Sequence, residues 1–140
     1  MEDRLTPSER SAHMRRIRKR DTKPEVAVRQ ITHALGFRYR LNRQDLPGTP
    51  DLVLPRHRKI IQVHGCFWHQ HADCRLARQP KSRLDYWLPK LARNVERDKM
   101  NRMELESNGW TCLIVWECQT KSTDVLKDIL VKFLFNGVQT

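Results

Sequence analysis

The sequence predicts a single α/β domain, a mixed central sheet flanked by helices. Three observations carry that expectation. The chain has 140 residues, the length of one ordinary domain. Its apolar spacing switches between helical and strand periods in the order α-β-β-β-α-β-α. Residues 62–74 follow directly on a strand and hold three His, two Cys and the adjacent aromatics Phe67 and Trp68.

Residues 1–20 read as a basic arm in which Arg15, Arg16, Arg18, Lys19 and Arg20 cluster. Met14 and Ile17 are its apolar pair at helical spacing. Two readings stand level: a solvated arm, or one that orders on DNA with Met14 as a wedge between bases. Residues 21–140 form the folded domain. Asp21-Thr22-Lys23-Pro24-Glu25 is a helix start, with a capping side chain and Pro in the first turn. Val26, Ile31, Ala34 and Leu35 continue the helix and Gly36 stops it. Residues 37–41 alternate apolar and basic side chains, as a half-exposed strand does. Residues 46–50 are a turn. Residues 51–54 and 59–63 pair as a hairpin. Residues 77–83 are a basic loop.

Leu84, Trp87, Leu88, Leu91 and Val95 step by three and four, marking an amphipathic helix over 84–107 with a buried apolar stripe. Pro89 should bend it or delay its start. Asn108-Gly109 ends it. Residues 110–116 are the most apolar strand, expected at the centre of the sheet. A last helix covers 125–135.

Lys and Arg number 27 against 16 Asp and Glu, a formal charge of +11. A field that positive favours a polyanionic partner, most simply nucleic acid. No stretch approaches the ~20 apolar residues of a membrane span. The densely charged first thirty residues show no signal peptide, so the expected location is cytoplasmic and reducing. There the four Cys serve as ligands or core residues.

Cys66, His71 and Cys74 have metal-ligand spacing with one position unfilled. Cys118 ends the 110–116 strand. If that strand lies beside 59–63, Cys118 reaches the same edge and closes a structural zinc site. His69 could replace His71; spacing does not separate them. Cys112, inside the apolar strand, reads as core.

Pro50-Asp51 heads one strand, and Gln62 and His64 share a face of the next. Restriction-endonuclease-like nucleases place an Asp at one strand start and two polar side chains, one residue apart, on its neighbour. The need is a carboxylate for a hard divalent cation and a group to handle attacking water. Asn94 and Asp98 share a helical face. Asp98 either points inward to orient an imidazole or sits in a surface ion pair.

Taken together these residues resemble the very-short-patch-repair DNA mismatch endonucleases, which nick at T:G mismatches left by deamination of 5-methylcytosine. The resemblance runs from Ser11-Ala12-His13-Met14-Arg15 to Trp116-Glu117-Cys118. It is carried by Leu46-Pro47-Gly48-Thr49-Pro50-Asp51, Asn94-Val95-Glu96-Arg97-Asp98 and, most specifically, His64-Gly65-Cys66-Phe67-Trp68-His69.

The resemblance implies a restriction-endonuclease-like single domain with a structural zinc, and a bacterial enzyme held to the nucleoid through DNA. By position, Asp51 would bind catalytic magnesium with the main-chain carbonyl of Val63. His69 would activate water with Asp98 as its orienting partner. His64 would assist phosphate chemistry where relatives of the wider class have Lys, and Glu25 would be an outer carboxylate. Cys66, His71, Cys74 and Cys118 would hold the zinc. Phe67, Trp68 and Trp87 would wedge beside the mismatch, and Met14 would contact DNA from the arm. The implied partner is double-stranded DNA with a T:G mismatch, bound by a monomer; assistance by mismatch-repair proteins stays open. Two rivals remain: a restriction-type nuclease cutting both strands, and a zinc-stabilised DNA-binding module.

Overall fold

The computed structural model describes residues 21–78 and 80–136. The basic arm, with Met14, lies outside the described residues. Helix α1 spans Lys23–Ala34. Thr22 caps it, its side chain accepting from the Glu25 amide at 3.4 Å. Gly36, at φ 95°, ends it in a conformation only Gly adopts freely. The face α1 buries is Glu25, Val28 and Thr32. The sequence pattern had favoured Val26 and Ile31, which are only partly buried.

Among the described residues the sheet has four strands in the order β1-β2-β3-β4: β1 Arg40–Leu41, β2 Leu52–Leu54, β3 Lys59–His64 and β4 Thr111–Trp116. β1 is shorter than the expected 37–41 strand, because Phe37 turns into the core at 7 % exposure. β2 and β3 form the expected antiparallel hairpin. A single turn of 3-10 helix, Pro55–His57, joins them, and Arg58 supplies the left-handed residue at φ 55°.

β4 runs parallel to β3 and, among the described residues, pairs with no other strand. It is therefore an end strand, not the central one its composition suggested. Its apolar content reflects cover on both faces. Val115 joins Leu52, Leu54, Ile61, Leu126, Leu130 and Leu134 in one core cluster. Cys112 joins Val53, Ile60, Leu105 and Trp110 in the other, as the core reading of Cys112 required.

Helix α2 spans Leu84–Ser107 and helix α3 spans Thr123–Leu134. α2 begins at Leu84 although Pro89 lies inside it, so Pro89 does not delay its start. Only Leu91 and Leu105 of α2 are buried. Leu84, Leu88 and Val95 stay 41–42 % exposed, so the expected apolar stripe is not a core face at this end. The C-terminal half of α2 anchors the helix through Leu105. Truncating such a fully buried leucine to Ala costs about 2–5 kcal/mol.

α3 packs on the other face of the sheet. Its C-terminal carbonyls are taken by a buried lysine. Lys59 Nζ donates to the carbonyls of Phe133, Leu134 and Asn136 at 2.8, 3.0 and 2.7 Å. Three carbonyls at a helix C-terminus satisfy all three ammonium protons and complement the charge. β3, which carries the site, is thereby tied to α3. No helix among the described residues is long and apolar enough to cross a membrane.

Candidate active site and metal centre

The parallel register of β3 and β4 builds the site. Its last pair is His64 opposite Trp116. Cys66 and Cys118 each lie two residues beyond, so both reach the same sheet edge. There the donor atoms of Cys66, His71, Cys74 and Cys118 all lie within 4.8 Å of one another. His71 Nδ1 is 3.7 Å from Cys66 Sγ and 3.5 Å from Cys118 Sγ. The His71 ring stacks on Trp116 with centroids 4.2 Å apart. Burial pushes the Cys66 thiol up to about 12; the Cys118 amide opposes this, and the crowded Cys74 and Cys118 thiols add to it. A bound cation reverses that preference by stabilising the thiolate. The geometry separates the two histidines that spacing left level. His71 turns to the thiols, and His69 turns away to α2.

On the cleft side, His69 Nδ1 and Asp98 Oδ2 are 2.5 Å apart. Asp98 thus points inward rather than into a surface pair. The His64 ring stacks on His69 with centroids 3.8 Å apart and planes 12° from parallel. His64 Nε2 lies 3.3 Å from Gln62 Oε1. Burial pushes the His64 imidazole down to about 4, with His69 adding to the drop, so it is neutral near pH 7.

Asp51 sits one residue before β2, and its Oδ2 accepts from the Val63 amide at 2.7 Å. That bond fixes the carboxylate against β3. Burial raises the Asp51 carboxyl from 3.8 to about 6; the Val63 bond opposes this and the Glu25 charge adds to it. Glu25 is 8 % exposed. Its Oε2 accepts from the Asp21 amide at 2.8 Å and from Arg29 at 3.2 Å. Among the described residues, Asp51 Oδ1 and Glu25 Oε1 make no hydrogen bond. Glu25, Asp51, Val63, His64, His69 and Asp98 line one cleft of about 1050 Å³.

Phe67, Trp68 and Trp87 gather at one end of the site, with centroids 5.2 to 5.8 Å apart. Phe67 and Trp68 are half-buried against Trp87. Trp87 in turn belongs to this cluster and not to the core. Asn94 Nδ2 donates to the Trp68 carbonyl at 3.2 Å, anchoring the loop to α2.

Sequence reasoning missed the far wall of the cleft. Tyr86, Lys90, Arg93, Arg97 and Asn101 line it from α2. Their spacing of three and four was legible as one helical face, but the neighbouring apolar pattern drew the attention.

Carboxylates, a His–Asp pair and a basic helix wall around one cleft define a nuclease-type site. Comparison with known proteins agrees. A family model described as DNA mismatch endonuclease Vsr matches residues 2–76. The type II nicking enzyme V.XorIIP of Xanthomonas oryzae pv. oryzae is 47 % identical over 127 residues, covering 91 % of this chain and 93 % of that protein. V.NmeAIP of Neisseria meningitidis is 42 % identical over 130 residues, covering 93 % and 92 %. The DNA mismatch endonuclease Vsr of Escherichia coli is 41 % identical over 119 residues, covering 85 % and 76 %. The chain belongs to the Vsr family of DNA mismatch endonucleases, whose fold is restriction-endonuclease-like. It is accordingly a DNA endonuclease of mismatch repair.

Proposed function

We propose that this enzyme nicks one DNA strand 5′ of the thymine in T:G mismatches left by deamination of 5-methylcytosine, within a preferred flanking sequence. The observation that carries the reading is the His69–Asp98 pair sharing one cleft with Asp51, with three clustered aromatics beside it.

The donor sets fit two metals. Three thiols and an imidazole within 4.8 Å suit tetrahedral zinc in a closed structural site: Cys66, His71, Cys74 and Cys118. The free oxygen of Asp51, with the Val63 carbonyl, suits a hard magnesium ion, and Glu25 stands behind as an outer carboxylate. Bound magnesium supplies Lewis-acid polarisation of the phosphate and charge stabilisation of the leaving oxygen.

The chain's own groups supply the rest. Asp98 occupies His69 Nδ1, leaving Nε2 to take the proton of the attacking water. Asp98 then stabilises the imidazolium. His64, held neutral, contributes a hydrogen bond to the phosphate rather than a charge. Phe67, Trp68 and Trp87 enter the stack, which opens at least cost at a mismatch. Met14 contacts the DNA from the basic arm, and Lys90, Arg93 and Arg97 hold the backbone. The enzyme acts as a monomer in the cytoplasm, on the nucleoid.

The test is nicking of T:G duplexes with varied flanks, with and without magnesium, by wild type and Asp51→Ala. Magnesium-dependent single-strand nicking, lost in the variant with T:G binding kept, is the expected result. Cleavage of both strands of a matched duplex would replace the reading with a restriction-type nuclease. Binding without any cleavage would replace it with a DNA-binding module.

A further inference from the structure

The two histidines and the carboxylate of the cleft have a second capacity. One donor atom from each of His64, His69 and Asp98 lies within 4.8 Å of the other two. His64 is 5 % exposed. Among the described residues, its Nδ1 is buried with no hydrogen-bond partner, and its Nε2 meets only Gln62, at 3.3 Å. A buried ring nitrogen without a partner is uncommon in a folded protein, because the desolvation it suffers is not offset. A cation-binding role accounts for it here. The rings stack with centroids 3.8 Å apart and planes 12° from parallel, so one ring turns out of the stack to aim its lone pair at the shared ion. Asp98 supplies an oxygen 2.5 Å from His69 Nδ1. The site opens on the cleft, so water can complete the coordination.

We propose that His64, His69 and Asp98 form a second metal site, selective for a transition-metal ion of the zinc, cobalt or nickel class, whose occupation inhibits nicking. Two imidazoles and one carboxylate suit these borderline ions, whereas magnesium prefers an all-oxygen set such as Asp51 and the Val63 carbonyl provide. The site is distinct from the Cys66–His71–Cys74–Cys118 cluster. The inhibitory part rests on His69 being the base of the proposed reaction: a neutral imidazole has one lone-pair nitrogen, so a metal on either ring nitrogen leaves the ring proton on the other and no site to take the proton of water. The binding part stands on the donor geometry alone.

The experiment uses the full chain with its Cys/His cluster loaded, checked as one zinc per chain by metal analysis. Cobalt is titrated in while visible absorption and T:G nicking are followed in parallel. One further equivalent should bind without a thiolate-to-cobalt charge-transfer band, and nicking should fall with the same dependence. Excess magnesium should not relieve the inhibition. Asp98→Asn and His64→Gln should each weaken cobalt binding by at least the ~10–100-fold that loss of an outer-shell partner costs. A variant that loses its zinc is misfolded, and the other then decides. Absence of a further equivalent, or one that both substitutions leave unchanged, overturns the site. Relief by magnesium places the cobalt at Asp51 and overturns it equally. If the protein nicks no T:G duplex at all, the proposed reaction fails while the cobalt titration still decides the site.

Discussion

Asp51→Asn should make the protein more stable and inactive at once. The Asp51 carboxyl lies in the cleft, and burial raises it from 3.8 to about 6. In the metal-free protein above pH 6 it is a charge held where charge is disfavoured. At about 1.4 kcal/mol per pH unit, the rise corresponds to at most about 3 kcal/mol against the fold. Asn removes the charge and keeps the bond, because its amide oxygen can still accept from the Val63 amide, 2.7 Å from the carboxylate. Cleft water screens part of the penalty, so the expected gain is about 1–3 kcal/mol, or ~3–10 °C in Tm.

The sign follows from the raised value. The carboxyl disfavours folding fully above about pH 6 and not at all below its ordinary 3.8, so wild type gains on the variant as pH falls between them. His64, lowered from 6.5 to about 4, titrates the other way: it favours folding above 6.5 and loses this as pH falls through about 4. Subtracting the two melting profiles removes that contribution. The assay is thermal unfolding of both proteins without added magnesium from about pH 4 to pH 8, with T:G binding and nicking alongside. Added magnesium should stabilise wild type and not the variant. A variant no more stable than wild type at neutral pH, or a difference that does not shrink towards pH 4, would refute the reasoning.

One zinc per chain should co-purify and resist mild chelation, and Cys118→Ser should unfold or aggregate the protein, since structural zinc contributes folding free energy; metal analysis finding no zinc in an active preparation refutes the site. His69→Ala should slow nicking ~10²–10⁴-fold and Asp98→Ala less. Because the two side chains are hydrogen-bonded, the double variant should lose less than the sum, and additive losses in single-turnover rates would show that they act apart. Trp68→Ala should weaken T:G binding ~5- to 150-fold, from about 1–3 kcal/mol of stacking per aromatic. Binding to matched duplex, resting on phosphate contacts, should change little at the same ionic strength; equal losses on both duplexes would make Trp68 a support of the fold.

The local elements were legible because their signals are local. Thr22 and Pro24 start α1, Gly36 ends it, and Gly109, at φ 91°, ends α2, all through backbone preferences within a turn. The hairpin of β2 and β3 was legible in two apolar runs around Pro55–Arg58. The density of His and Cys at residues 64–74 marked the site, since no core requires that composition. Nothing local, however, says which strand lies at the sheet's end or which face of a long helix meets a neighbour. β4 looked central because both its faces are covered, yet hydrogen-bond partnership and burial are separate properties. Leu84, Leu88 and Val95 had the period of a core stripe, but no element among the described residues packs over them closely enough to bury them. His69 and His71 are two residues apart and of one chemistry. Only the parallel pairing of His64 with Trp116 brings Cys118 to His71, and only the position of α2 brings Asp98 to His69. The sequence determined the elements and the inventory of chemical groups, through interactions spanning a few residues. The tertiary structure alone decided which groups meet, because register and packing depend on contacts between residues far apart in the chain, such as Cys66 and Cys118, 52 positions apart.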